Sequence, residues 1–242
     1  MSWRKYWHTK EFVKTESGRF CVYHGGSRDS KVSLVLLHGA GYSGLTWSTL
    51  GENLASLADT RLLALDLRGH GETEVSEEEI DMSGQRMARD VVEVLLGLYT
   101  DIDLGVVIMG HSMGGALAAM VAEMMEGLEK GPRLLGLVVE DVVEGTAMEA
   151  LAYTLAKEER PNGIRVNIVA PGLVDTDMGQ RLMNALQGVE DIRTLDDSMP
   201  WGRVCQPEDV ANVVTFLVSD ANSYLTGERL YCDGGGQDIS RR

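Results

Sequence analysis

The most informative shortage in this 242-residue chain is of histidine. The five histidines are His8, His24, His38, His70 and His111, and none occurs after residue 111. A side chain that takes a proton near neutral pH is most often histidine. The second half of the chain therefore cannot supply the histidine base that many hydrolases use.

Cysteine and positive charge are also scarce. Three scattered cysteines (Cys21, Cys205 and Cys232) exclude a disulfide framework and favour a reducing compartment. The net charge of −15 would repel nucleic acids and anionic membranes. No apolar run reaches the ~18–20 residues needed to span a bilayer, and the N-terminal residues lack an apolar signal core. We expect a cytoplasmic or nuclear protein with no nucleic-acid or membrane partner.

What the sequence does contain is a regular alternation of short apolar strands and helical segments. Residues 11–24 alternate in polarity and predict a hairpin. Strands are predicted at 32–39, 60–69, 105–110, 134–141, 164–172 and 228–236, and helices at 46–59, 83–99, 114–128, 148–160 and 207–220. Apolar strands separated by helices indicate a mainly parallel sheet covered on both faces. The predicted fold class is α/β, a three-layer αβα sandwich with a doubly wound sheet, and residues 1–242 are expected to form a single domain.

One short stretch, GVVIMGHSMGGALAAM (105–120), predicts a chemical site. An apolar strand stops at Gly110, Ser112 follows, and small residues resume at helical spacing from Gly114. A serine on such a tight strand-to-helix turn needs small neighbours two residues before and after it. The amide of Met113 then points to where an oxyanion would form, at the positive end of the helix.

Together with HGAG (38–41), LDLRGHGET (65–73) and DVVEGTAM (141–148), this stretch resembles the α/β-hydrolase superfamily, and within it the protein phosphatase methylesterase family. The resemblance covers residues ~10–150. It implies Ser112 as the nucleophile, Asp141 as the triad acid, and Ala40, Gly41 and Met113 as residues of the oxyanion hole. It also implies hydrolysis of a small ester or of a methylated protein C-terminus. The family takes its histidine base from the loop after the last strand, where this chain has only 233–238, DGGGQD.

Past residue 150 the resemblance changes. The stretches 155–178 and 206–235, with NIVAPG and LTGERLYCDGG, resemble the Rossmann-like C-terminal part of a short-chain dehydrogenase/reductase. That family's Tyr-x-x-x-Lys would fall on positions 141 and 145, which here hold Asp141 and Gly145. We therefore interpret the chain as a chimera of a hydrolase-like segment, 1–150, and a reductase-like segment, 151–242. The join falls between 141 and 153, and an engineered origin is favoured.

Two further patterns offer a nucleotide-binding alternative. Residues 39–44 match G-x-G-x-x-G, follow a strand, and precede Asp66 by the spacing of a dinucleotide fingerprint. The flanking His38 and the sequence RGHG (68–71) favour a hydrolase oxyanion loop instead. Tyr153 and Lys157 form a literal Tyr-x-x-x-Lys, but about three helical turns too late, so we expect a packing residue and a solvated one.

Three functions follow from these patterns. The first is a serine esterase scaffold with an incomplete triad, weak or inactive, with no cofactor and no metal. The second is a non-catalytic engineered fold chimera, and the third is an NAD(P)-dependent short-chain oxidoreductase. We also expect a homodimer through the last strand and helix 207–220, since an apolar edge strand invites pairing.

Overall fold

The protein forms one mixed, mainly parallel sheet. A computed structural model describes residues 3–57, 59–76, 81–100, 103–126, 128, 130–140 and 147–235. Its strands are β1 (Thr9–Lys14), β2 (Gly18–Gly26), β3 (Val32–Leu37), β4 (Arg61–Leu65), β5 (Glu74–Val75), β6 (Gly105–His111), β7 (Arg133–Glu140), β8 (Arg165–Pro171) and β9 (Arg229–Cys232). They lie in the order β1-β2-β4-β3-β6-β7-β8-β9, with β5 paired to β2. The hairpin β1–β2 therefore lies at one edge of the sheet, and β9, which was expected from the sequence to be an edge strand, lies at the other.

Helices cover both faces of the sheet. They are α1 (Ser48–Leu57), α2 (Gly84–Leu98), α3 (Met113–Met125), α4 (Ala147–Glu158), α5 (Asp177–Gln187) and α6 (Pro207–Val218). Buried side chains of α2, α3 and α4 form one apolar core with the sheet, and those of α1 and α6 form a second core on the opposite face. This is the three-layer arrangement that the alternation of strands and helices predicted.

Local chemistry explains where several helices begin. The hydroxyl of Ser83 accepts a hydrogen bond from the Arg86 amide and so caps α2. Pro207 occupies the first turn of α6, where its missing N–H costs no helical hydrogen bond. Both helices begin within one residue of the starts predicted from the sequence.

The sequence-based prediction missed several elements and made some strands too long. It did not include β5, α5 or the 3₁₀ segment Ile192–Ser198. Helix α5 and the 3₁₀ segment share a small core of their own, built on Met183, Ile192 and Val204. The last strand is shorter than predicted, because Asp233, Gly234 and Gly235 turn away from β8 after Cys232.

The sheet continues across the expected join between the two segments. Strand β7 belongs to the hydrolase-like segment and β8 to the reductase-like one, and they pair in parallel from Gly136↔Arg165 to Glu140↔Val169. Helix α4 packs against β8 and α3. In the described part of the chain, no helix is long and apolar enough to cross a membrane.

Candidate active site

Ser112 lies on a strained turn between β6 and α3. Its φ of 51° and ψ of −116° make it the one non-glycine residue with positive φ in the described ranges. The Ser112 amide donates to the Glu140 carbonyl at the end of β7, at 3.1 Å, and its side chain is exposed. Such strain persists only where the surrounding structure enforces it, and it is typical of functional sites.

Two glycines allow the turn to close. A Cβ at Gly110 would overlap the backbone of Gly114, and a Cβ at Gly114 would overlap the Leu37 carbonyl group. The backbone of α3 therefore approaches both β6 and β3 more closely than any side chain permits. The small residues that the sequence pattern required are needed at both positions.

The residues predicted to form the oxyanion hole lie around this turn. Met113 is the first residue of α3, so no carbonyl of its own helix accepts its amide. Ala40 and Gly41 follow β3 and are exposed. Gly41 already donates its amide to Nε2 of His70, at 3.1 Å. Donation from Gly41 to an oxyanion requires this hydrogen bond to open.

Two histidines support the loop that contains Ala40 and Gly41. Nδ1 of His70 donates to the carbonyl of Arg68, at 2.8 Å, which leaves Nε2 as the acceptor for Gly41. His38 is fully buried, accepts from the Leu67 amide on Nε2 and donates to its neighbour's carbonyl through Nδ1. Burial lowers the pKa of His38 to about 4. Each ring thus accepts one loop amide and donates to one carbonyl oxygen, so both histidines have structural roles in this arrangement.

Asp66 connects the loop after β3 to the loop after β4. Its carboxylate accepts from the amides of Gly44 and Glu72, at 2.7 and 2.8 Å, and from the hydroxyl of Tyr23, at 3.2 Å. A Cβ at Gly71 would overlap this carboxylate. In a dinucleotide fingerprint, Asp66 would bind a ribose hydroxyl. Here Asp66 is fully buried, and its carboxylate accepts hydrogen bonds from protein groups.

Among the described residues, the structure places no acid or base of a catalytic triad on the Ser112 hydroxyl. Asp141 lies outside the described residues, as does Gly145. In the part of the chain that is described, no side chain is hydrogen-bonded to the Ser112 hydroxyl. His24 pairs with Glu11 in the hairpin, at 2.6 Å, and the His111 ring lies beside Tyr42 with centroids 6.3 Å apart.

The literal Tyr-x-x-x-Lys pattern and the residues after β8 in the reductase-like segment have structural contacts here. Tyr153 packs, partly buried, against the core below α4, and Lys157 is exposed. Thr176 caps α5 by accepting from the Gly179 amide, and Gly172 donates to the Cys232 carbonyl. These contacts agree with the expectation of a packing tyrosine and a solvated lysine.

One buried cluster near the site was missed at the sequence level. Arg68 and Asp90 form an ion pair at 2.6 Å, and their side chains are 0% and 2% exposed. Ser17 and Arg86 also donate to the Asp90 carboxylate. The four-residue spacing of Arg86 and Asp90 on a helix was the available signal. Among the described residues, no group of three or more His, Cys, Asp or Glu side chains could hold a metal ion.

Two family models match separate parts of the chain. The α/β hydrolase fold family model matches residues 32–131, and a model described as enoyl-(acyl carrier protein) reductase matches residues 144–237. Protein phosphatase methylesterase 1 of Mus musculus is 44% identical over 153 residues, which are 62% of this chain and 38% of that protein. The Schizosaccharomyces pombe protein of the same name is 38% identical over 159 residues, 62% of this chain and 45% of its own length.

The chain thus spans about two fifths of the length of the methylesterases that it matches. Among solved structures, the thioesterase domain from the curacin biosynthetic pathway is similar in fold. It has a TM-score of 0.54 and 15% identity, with 86% of this chain and 98% of that chain covered. The chain therefore has an α/β hydrolase fold, with a segment similar to protein phosphatase methylesterases followed by one similar to short-chain reductases.

Proposed function

We propose that this protein is a serine esterase scaffold whose triad lacks its base, so that ester hydrolysis is slow. The observation that supports this most strongly is the strained, exposed Ser112 at the start of α3, with the Met113 amide beside it. This geometry is that of a nucleophile elbow. The chain has no histidine after His111 to complete it.

The expected chemistry follows from these groups. The Ser112 hydroxyl would attack an ester carbonyl and form an acyl-enzyme, with Asp141 as the proposed acid of the triad. The amides of Met113 and Ala40 would donate to the oxyanion. A serine hydroxyl is a weak nucleophile until a base takes its proton. Removing one triad member typically leaves only ~10³–10⁴-fold acceleration over water.

The substrate class comes from the methylesterase similarity. The names of those relatives support a carboxyl methyl ester, either a small ester or a methylated protein C-terminus. This chain matches 38% of the mouse protein, and its residues 144–237 match a reductase family model instead. Recognition of a protein substrate is therefore expected to be weaker than that of a small ester.

Chemical rescue tests the proposal directly. The full chain is assayed with a chromogenic short-chain ester, with and without added imidazole, beside Ser112→Ala and a protein-free control. If only the base is missing, imidazole should raise hydrolysis by the wild-type protein more than it raises hydrolysis in either control. Labelling by a fluorophosphonate probe should be slow, and should be absent in Ser112→Ala.

Two results would contradict this function. Turnover above about one per second, in the ordinary enzyme range, that disappears in Ser112→Ala would show that a complete triad exists. Equal rates and equal imidazole responses for wild type and Ser112→Ala, with no probe labelling, would show that Ser112 is not a nucleophile at all.

The second candidate is a non-catalytic fold chimera, favoured by the two family models that match separate segments. The continuous pairing of β7 with β8 supports a single domain of residues 1–242. Hydrogen exchange provides the test. The amides of β3 and β8 should lose protection in one cooperative transition, and separate transitions would argue for two domains.

A further inference from the structure

Cys205 and Cys232 lie together at one edge of the sheet although they are far apart in sequence. The Cys205 thiol donates to the Cys232 carbonyl oxygen across 3.6 Å, and the two thiols also interact with each other directly. Both residues are only partly buried. Neither has a role in the proposed esterase site.

The backbone holds the two cysteines beside the end of β8. Cys232 pairs with Pro171 in the β8–β9 ladder, and its carbonyl accepts from the Gly172 amide. Cys205 forms a parallel bridge with Val174 and accepts from the Asp175 amide. Consecutive residues of one short segment, 171–175, therefore position both cysteines.

We propose that Cys205 and Cys232 form a reversible disulfide that fastens the edge strand β9 to the segment entering α6. The Cys205 Sγ lies 3.6 Å from the Cys232 carbonyl oxygen, so rotation of the two side chains is the movement that would bring the sulfurs together. The cross-link would close a loop that contains the whole of α6. It would constrain the unfolded chain and so stabilise the C-terminal edge of the sheet.

Oxidised glutathione is a sufficient oxidant. The Cys205 thiol loses its proton, and the thiolate attacks one glutathione sulfur, which forms a mixed disulfide and expels one glutathione thiolate. The Cys232 thiolate then attacks the Cys205 sulfur, forms the protein disulfide and releases the second glutathione. The two protein sulfurs are oxidised by two electrons in total, and the glutathione disulfide is reduced to two thiols.

The surroundings make this pair slow to react at neutral pH. Burial raises the pKa of Cys205 to about 12, and the thiol of Cys232 and the carboxylate of Asp209 act in the same direction. Burial also raises the pKa of Cys232. Arg203 is held in an ion pair with Asp209, at 2.6 Å. Because the thiolate is the attacking species, the rate should rise roughly tenfold per pH unit in this range.

The test incubates the full chain at pH 8.5 in buffers with a series of ratios of oxidised to reduced glutathione. Reduced and pre-oxidised protein are incubated in parallel until both reach the same fraction of disulfide. Mass spectrometry should find the peptide with Cys205 joined to the peptide with Cys232, with a loss of two hydrogens that dithiothreitol reverses. The oxidised protein should unfold at a Tm about 5 °C or more above that of the reduced protein. Cys21, which is fully buried, should remain a thiol.

Three variants make the result decisive. Cys205→Ser and Cys232→Ser should lose the cross-link and the Tm difference, and Cys21→Ala should keep both. The proposal is overturned if the most oxidising buffer yields only glutathione adducts or unreacted thiols at 205 and 232. A cross-link through Cys21 would overturn it equally.

Discussion

The amide of Gly41 donates a hydrogen bond to Nε2 of His70 across 3.1 Å, so the loop after β3 is tied to the loop after β4. Nδ1 of the same ring donates to the Arg68 carbonyl. Both ring nitrogens are therefore occupied, with Nδ1 as the donor and Nε2 as the acceptor. This arrangement makes His70 a positioning residue for the oxyanion loop and leaves it no lone pair for Ser112.

We predict that His70→Ala loosens this loop. Loss of the acceptor for Gly41 should destabilise the protein by about 1 kcal/mol, and hydrogen exchange at Gly41 should become faster. His70→Gln places an amide oxygen where Nε2 lies, so it should retain most of the protection. Exchange measured by NMR on all three proteins checks this.

A different outcome would assign His70 another role. If His70→Ala and His70→Gln both abolish the residual Ser112-dependent hydrolysis while the Gly41 amide stays protected, His70 acts as the base. The positioning role would then be wrong.

Gly114→Ala should be strongly destabilising. Its methyl group would overlap the Leu37 carbonyl, and backbone cannot move aside as a flexible side chain can. We expect a loss of about 3 kcal/mol or more, measured by urea unfolding. Gly97→Ala is the matched control, because Gly97 lies inside α2 with one side-chain contact, Val13 Cγ1 at 3.2 Å. A loss no larger for Gly114→Ala than for Gly97→Ala would show that the turn is not as tight as described.

The stability of the protein should fall in acid through His38. Burial lowers its pKa from 6.5 to about 4, His70 adds to the effect, and the Gly39 carbonyl opposes it. Between these pH values the unfolded chain binds a proton that the folded chain does not. The free energy of unfolding therefore decreases as the pH falls from 6.5 to about 4, by about 3 kcal/mol. Below that range both states are protonated, and His38 contributes no further loss.

His38→Gln isolates this contribution. Glutamine cannot titrate but can accept from the Leu67 amide, so the variant should show a flatter dependence of unfolding free energy on pH between 6.5 and 4. The Arg203 guanidinium lowers the pKa of Asp209 to about 2. The loss of stability caused by protonation of Asp209 therefore occurs below this pH window in both proteins. Parallel curves for the two proteins over this window would contradict the assignment.

Much of the fold could be predicted from the sequence because strands and helices differ in period. The run 105–110 and the helix from Ser83 combine apolar pattern with a clear start or stop signal. Helix α5 was missed because it packs on a small core outside the sheet, with Leu182 and Leu186 exposed. The apolar residues of α5 therefore do not face the sheet, as those of the predicted helices do.

The residue types in the turn around Ser112 were predictable because steric contacts with the backbone dictate them. Gly110 and Gly114 are required by close backbone approach, so their spacing around Ser112 was a specific signal. The occupation of His70 and Asp66 by loop amides was not predictable, because side-chain oxygens and nitrogens accept from whichever amide the loops bring near. The same acidic residue in the same spacing also fits a dinucleotide fingerprint.

We predict that dinucleotides bind weakly or not at all. The carboxylate of Asp66 is engaged by Gly44, Glu72 and Tyr23, so it cannot also accept from a ribose hydroxyl without breaking loop hydrogen bonds. Fluorescence titration with NADH and NADPH checks this. A micromolar Kd that is lost in Asp66→Asn, with the fold unchanged by circular dichroism, would support the loop 39–44 as a nucleotide site instead.

The last prediction concerns self-association through β9 and α6. Strand β9 pairs only with β8 among the described strands, so it forms one edge of the sheet. Tyr231 on this strand and Phe216 on α6 are 45% and 43% exposed. We expect a homodimer in sedimentation experiments at high micromolar concentration, weakened by Tyr231→Lys, since a lysine on an edge strand opposes pairing. Leu186→Lys on α5, where the side chain is 69% exposed, is the matched control and should leave the dimer intact.

A wild-type protein that sediments only as a monomer would refute the dimer. Dissociation by Leu186→Lys but not by Tyr231→Lys would place the interface on another surface.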